Sequence, residues 1–340
     1  MEKSLKEFKE YYLERMLKLL WNQWSALGVA GYGAGRAGHV MDPEALLLLT
    51  VSIGRYDPRL FDELMDWLAL NSYVFNTQRL KAVCRKERFA GINVVGAVTG
   101  YLSAKQNIRK FNRLVMERRK PFKTEDLFYS TSSGKIGHFG NTDPVFMEHG
   151  FRRGKVELSG NSREIPLHGS AGLLCRLRSF LGVTARCEII LYLLTHEHGH
   201  PSRIAAETCY SQKTVQDTLV EMSKSGSVYV RPEGREKYYW LKQEKWLDFL
   251  SEKKMTVKWI NWPALFGSLE EIWFALNNKE LVEQSQEVQS SELRALMKSL
   301  KNKFEKSGLD QCISEDRLYP SKEYLTVFLS DVKKILEQVL

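Results

Sequence analysis

The segment from Ala185 to Leu241 constrains the fold most, because its hydrophobic period changes in a fixed order. Ile189, Ile190, Leu193 and Leu194 recur at helical spacing in a helix running to His196. The loop His196 to His200 leads to Pro201 and a short helix carrying Ile204, Ala205 and Ala206. After a tight turn at Cys209 and Tyr210, Ser211 is an N-cap residue. Val215, Leu219 and Met222 then predict a third helix ending near Gly226. Two strands are predicted at Val228–Arg231 and Glu236–Leu241, joined by Pro232, Glu233, Gly234 and Arg235 with the glycine at the turn.

The small Ala205 lets the second and third helices approach closely, and Val215 and Leu219 pin the third helix to the core. Its other face is left to Gln212, Lys213, Gln216 and Asp217. This arrangement, centred on Ile204 to Leu219, resembles the winged helix-turn-helix regulators of the broad MarR/ArsR-like class. The resemblance covers residues 185–241 only. It departs from the class at Cys209, where glycine is common; a left-handed backbone there costs another residue about 1 kcal/mol. The resemblance implies a regulator that binds double-stranded DNA. Ser211, Gln212, Lys213 and Gln216 would enter the major groove at the start of the third helix. Glutamine pairs bidentately with adenine, and lysine reaches guanine or phosphate. Arg231, Arg235 and Lys237 of the wing would hold the backbone or minor groove.

Charge gives a different emphasis. The chain carries a formal net charge of +9, which fits a polyanionic partner. Between Ala185 and Leu241, however, seven basic residues face seven acidic ones. The excess lies earlier, in Arg79, Lys81, Arg85, Lys86, Arg88, Lys105, Arg109, Lys110, Arg113, Arg118, Arg119 and Lys120. This segment is either a source of phosphate attraction or a solvated helix face. Residues 43–88 also read as three helices, the last basic, which is the order of a second helix-turn-helix. Its candidate contacts are Thr77, Gln78, Arg79, Lys81 and Arg85.

The whole chain is predicted to be mainly α with small β parts, the winged module being flanked by helical domains. A helical domain spans residues 1–120, a loop and hairpin linker 121–172, the winged module 173–245, and a C-terminal helical dimerisation or effector region 246–340. Leu325, Phe328, Val332, Ile335 and Val339 form a late apolar stripe, the candidate homodimer interface. Trp259, Trp262, Phe266, Trp273 and Phe274 are either packing residues or the wall of a small-molecule effector pocket of unknown ligand.

Other signals carry less. Gly33, Gly35 and Gly38 satisfy a dinucleotide-binding spacing but follow a long amphipathic helix, not a strand. His196, His198 and His200 lie in a loop without paired cysteines, so neither a metal nor another cofactor is expected. No nucleophile with a base, paired carboxylates or phosphate loop stands out, and no enzyme is expected. The five unpaired cysteines, the absence of a signal peptide and the short apolar runs predict a soluble, cytoplasmic protein without a membrane partner. The alternative function is a winged-helix adaptor that binds a protein partner without specific DNA binding.

Overall fold

The computed structural model describes residues 4–31, 38–115, 124–129, 141–250, 255–315, 319 and 323–340. It is mainly helical with two small two-stranded sheets. The chain opens with α1 (Leu5–Ala26), then α2 (Pro43–Ile53), α3 (Pro58–Asn71), α4 (Thr77–Glu87), α5 (Ile92–Gln106) and the short α6 (Asn112–Val115). Asp42, Asp57 and Asn76 cap α2, α3 and α4, each accepting a backbone N–H in the first turn at 3.0–3.1 Å. Proline at the first position of α2 and α3 sets the helical φ where no N–H is needed.

β1 (Glu125–Asp126), α7 (Pro144–Glu148) and β2 (Phe151–Arg152) form the middle of the chain. A hairpin was the expectation here; β1 instead pairs with β2 in parallel. Parallel pairing requires a crossover between the strands, and α7 lies on it. Part of the expected linker, residues 121–123 and 130–140, lies outside the described residues, as do Gly33 and Gly35.

Then come α8 (Leu173–Leu181), α9 (Ala185–Thr195), α10 (Pro201–Thr208), α11 (Gln212–Lys224), β3 (Tyr229–Glu233), β4 (Glu236–Trp240) and α12 (Gln243–Leu250). The chain finishes with α13 (Trp262–Asn277), α14 (Lys279–Val282), α15 (Gln286–Lys306) and α16 (Tyr324–Val339). No helix among the described residues is long and apolar enough to cross a membrane.

Every residue of α2 except Ser52 is buried, as a helix apolar all round should be. It packs against α1, α3, α4, α5 and α13, so amino- and carboxy-terminal helices share one hydrophobic core. Three polar side-chain groups brought into that core are satisfied there. Tyr12 donates to the Leu269 carbonyl at 2.8 Å, Trp67 to the Leu27 carbonyl at 2.8 Å, and Trp24 to Thr50 Oγ1 at 2.9 Å. Trp262, Phe266 and Trp273 are core residues, whereas Phe274 is exposed. The expected dimer stripe of α16 is corrected: Leu325, Phe328, Val332, Ile335 and Val339 are buried within the chain, on the helix that packs against α1 and α15.

A second core gathers α8 to α11 with Val228, Tyr239 and Leu241. The two cores meet at a buried ionic cluster. Glu44 of α2 accepts both Nη atoms of Arg178 at 2.7 Å and Arg79 Nη1 at 2.8 Å. Arg79 also forks onto Asp42 at 2.6 and 2.8 Å, and Arg178 reaches Glu188 of α9 at 2.5 and 3.0 Å. Burial alone would raise the Asp42 carboxyl; the adjacent Arg79 guanidinium outweighs it and holds Asp42 below the usual carboxylate range.

Removing one member of a buried ion pair strands its partners in low dielectric, at a cost of about 3–5 kcal/mol. Arg178→Met is therefore expected to lower the unfolding free energy by about that much in urea denaturation; a loss below about 1 kcal/mol would show the cluster to be slack. A second prediction concerns Glu270, buried in α13, where its carboxylate accepts the Ala90 N–H at 3.1 Å. Burial pushes its pKa from 4.5 up to about 7. The folded state then holds a proton that the unfolded state has released, so stability falls as pH rises from about 4.5 to 7. Glu270→Gln should flatten that part of the stability–pH curve, and an unchanged slope would assign it to other groups.

Candidate nucleic-acid interface

α11 is amphipathic by construction. Val215, Leu219 and Met222 are buried, and Ser211 caps the helix, its Oγ accepting the Thr214 N–H at 3.1 Å. Ser211, Gln212, Lys213, Gln216 and Asp217 are exposed on the first turns, as the spacing predicted. The first-turn N–H groups leave the start of the helix electropositive.

The turn before α11 is held from several sides. Cys209 adopts the left-handed conformation, with φ 63° and ψ 35°, at the position where glycine was expected. Arg79 Nε donates to the Thr208 carbonyl at 3.0 Å. Lys86 donates to the Ala206 carbonyl and lies 3.7 Å from Cys209 Sγ. Tyr210 donates to Glu188 at 3.1 Å and accepts from Asn76 Nδ2 at 2.8 Å. Burial, with the Glu188 carboxylate next, pushes the Tyr210 hydroxyl up, so it remains a donor. These contacts offset the strain of a non-glycine residue in this conformation.

β3 and β4 pair antiparallel in the register Tyr229 to Trp240 and Glu233 to Glu236. The strands are longer than predicted at the turn, because Pro232 and Glu233 join the ladder and leave Gly234 and Arg235 as the connection. Gly234 has φ 62°, which glycine supplies without a Cβ penalty. Gly199 exchanges two backbone hydrogen bonds with Tyr239, at 2.9 and 3.0 Å, fastening the hairpin to the loop before α10. A Cβ at Gly199 would stand 2.8 Å from Ile204 and from Tyr192, so this approach requires glycine. Arg231, Arg235 and Lys237 are all exposed. Arg231 is paired with Glu233 at 2.6 Å, while Arg235 and Lys237 have no ion pair among the described residues.

The second group of candidate contacts divides. Gln78 and Arg85 are exposed, and Thr77 and Lys81 are half-buried. Arg79 is corrected: with its side chain 2% exposed and bound to Asp42, Glu44 and the Thr208 carbonyl, it has no free donor face for a phosphate. Arg85 lines a surface depression together with Ala205 and Ser211, so the two candidate groups meet at the start of α11. Of the other basic residues, Lys110 is tied to the Ser72 carbonyl at 2.6 Å, and Arg88, Lys105 and Arg109 are exposed. The Arg113 side chain and Arg118, Arg119 and Lys120 lie outside the described residues.

The loop histidines have structural partners. His200 Nδ1 accepts the Ser202 N–H at 3.3 Å at the start of α10, and the His198 and His200 rings flank Tyr238. Among the described residues no three His, Cys, Asp or Glu side chains are grouped to hold a metal ion. All five cysteines are buried free thiols.

Sequence reasoning missed Glu44, Arg178 and Glu188. Each stands in a mostly apolar helical run, Pro43–Ile53, Leu173–Leu181 and Ala185–Thr195; Glu44 is the only charge in the first, whereas Arg176 and Arg186 accompany the others, so the signal was clearest for Glu44. Compared with known proteins, the chain matches no family model, no curated protein and no solved structure.

Proposed function

We propose that residues 185–241 are a winged helix-turn-helix and that the chain binds double-stranded DNA as a transcription regulator. The observation that carries this reading is the start of α11, where Gln212, Lys213 and Gln216 are exposed while Val215, Leu219 and Met222 anchor the opposite face. A helix held this way offers base-reading side chains and first-turn N–H groups to a major groove. The hairpin supports the same reading, since Arg235 and Lys237 are exposed cations on a two-stranded wing tied to Gly199. Arg85 adds a phosphate contact beside Ser211 from outside the module, which compensates for the module's balanced charge.

The reading is tested by fluorescence anisotropy of the full chain on genomic fragments and shuffled controls across a salt series. A reproducible preferred site is expected. Gln216→Ala should flatten preference at one base pair by about 1–3 kcal/mol. Arg235→Ala and Arg85→Ala should weaken all sequences alike and reduce the salt slope by about 1 each. Weak binding without sequence preference that vanishes in modest salt overturns the regulator and leaves the adaptor reading.

A homodimer on a two-fold site goes with this proposal. Because the stripe of α16 is consumed within the chain, the contact falls to another surface. Phe180 of α8 and Phe249 of α12 pack 5.6 Å apart and are 63% and 65% exposed, a large apolar pair on the helices that flank residues 185–241. Phe180→Ser with Phe249→Ser should convert dimer to monomer in sedimentation; a persistent dimer would put the interface elsewhere.

A further inference from the structure

The helical body holds a cleft of about 870 Å³ where α1, α13 and α14 come together beside β1 and β2. Its lining combines cations with aromatic rings. Lys6 and Lys9 of α1, one helical turn apart, share the cleft with Lys279 of α14, and Lys9 Nζ lies 5.7 Å from the centre of the Trp273 ring. None of the three has an ion pair among the described residues, and Glu10 is the nearby carboxylate acting on Lys9. Burial, and then the neighbouring Lys279 ammonium, lower the proton affinity of Lys9. Glu125, the other carboxylate of the lining, is taken up by Arg55 at 3.0 Å, so Glu10 alone faces three ammonium groups and an added anion would relieve the remaining repulsion.

The rest of the wall is aromatic. Tyr129 lies under the Arg55 guanidinium, 4.2 Å from its ring centroid, and Tyr56 packs 5.3 Å from Tyr129 and 5.2 Å from Trp273. Arg55 is fixed in place by the Leu127 carbonyl at 2.7 Å and Glu125 at 3.0 Å, so this wall is rigid. Tyr56 and Tyr129 are half-buried, leaving ring surface open to the cleft, and Phe274 at its rim is exposed. A volume of this size suits a small ligand. Rigid aromatic walls accept planar rings of any base by stacking.

We infer that this cleft binds a mononucleotide-class ligand, its planar base against Tyr56 and Tyr129 and its phosphate among Lys6, Lys9 and Lys279. Lys9 and Lys279 are close enough to repel each other, and Lys6 is one turn from Lys9, so the three cations form a compact group that fits one phosphate better than a polynucleotide backbone. The site lies in the body, away from α11, and stands independently of the DNA-binding reading.

The test is isothermal titration calorimetry of the full chain with adenosine 5′-monophosphate, adenosine, inorganic phosphate and an oligothymidylate. The monophosphate should bind at least about 10-fold more tightly than adenosine or phosphate alone, since only it engages both the rings and the lysines. Lys9→Gln with Lys279→Gln should weaken it by about 10-fold or more. Tyr129→Leu should weaken it by about 5- to 100-fold. Lys6 and Lys279 are exposed, so Lys6→Gln with Lys279→Gln offers a second pair that leaves the core untouched. The inference is overturned by no binding at millimolar monophosphate, by equal binding of adenosine, or by lysine variants that bind like wild type. An oligothymidylate that binds more tightly than the monophosphate would reassign the cleft to single-stranded nucleic acid. Double-stranded DNA binding of the same variants is scored separately, so either reading can fail without the other.

Discussion

Glu44 is the carboxylate on which the rest of the structure turns. It sits in the central helix of the body and accepts hydrogen bonds from two arginines, one from α4 and one from α8. Three carboxylates and two guanidiniums share this buried volume, so charge matching alone leaves a net negative charge. Neutral donors complete the balance: the Asn76 N–H reaches Glu44 at 2.7 Å, the Tyr210 hydroxyl reaches Glu188, and the Ala45 N–H reaches Asp42. Such clusters are poor sources of net stability compared with apolar packing, but their geometry is unforgiving. Here the geometry selects one way of seating the α8–α11 unit on the body.

That seating reaches the start of α11. Arg79 binds the carboxylates with its terminal nitrogens and the last carbonyl of α10 with Nε, joining the central helix to the turn that precedes α11. The next turns of α4 carry Lys86 onto Ala206 and Arg85 onto the surface beside Ser211. One helix thus has a buried structural end and an exposed basic end. The basic excess ahead of the module is divided accordingly between interior anchoring and surface charge.

Much of this was legible from the residues. The caps at Asp42, Asn76 and Ser211, the helices around Ile189 and Val215, and the hairpin glycine follow from local rules of capping, periodicity and turn chemistry. The left-handed conformation of Cys209 was signalled only by the resemblance, whose class commonly has glycine at that turn. What could not be read was long-range. The stripe of α16 has the same pattern whether it meets another molecule or α1, and only the fold puts Phe8 6.4 Å from Phe328. Arg79 looked like a surface base because nothing local reveals that Asp42 and Glu44 face it. β1 and β2 are two residues each, too short for any period to register.

The ionic cluster also bears on motion. For the unit carrying α11 to pivot away from the body, Arg178 would have to leave Glu44 or Glu188, and Arg79 would have to release Thr208. If opening costs about 4 kcal/mol, as stranding a buried charge does, the pivoted form is about one molecule in a thousand at equilibrium. The unit and the body therefore behave as one piece in nearly every molecule at equilibrium, and the direction in which α11 points is set by the orientation of α2 rather than by a hinge between them.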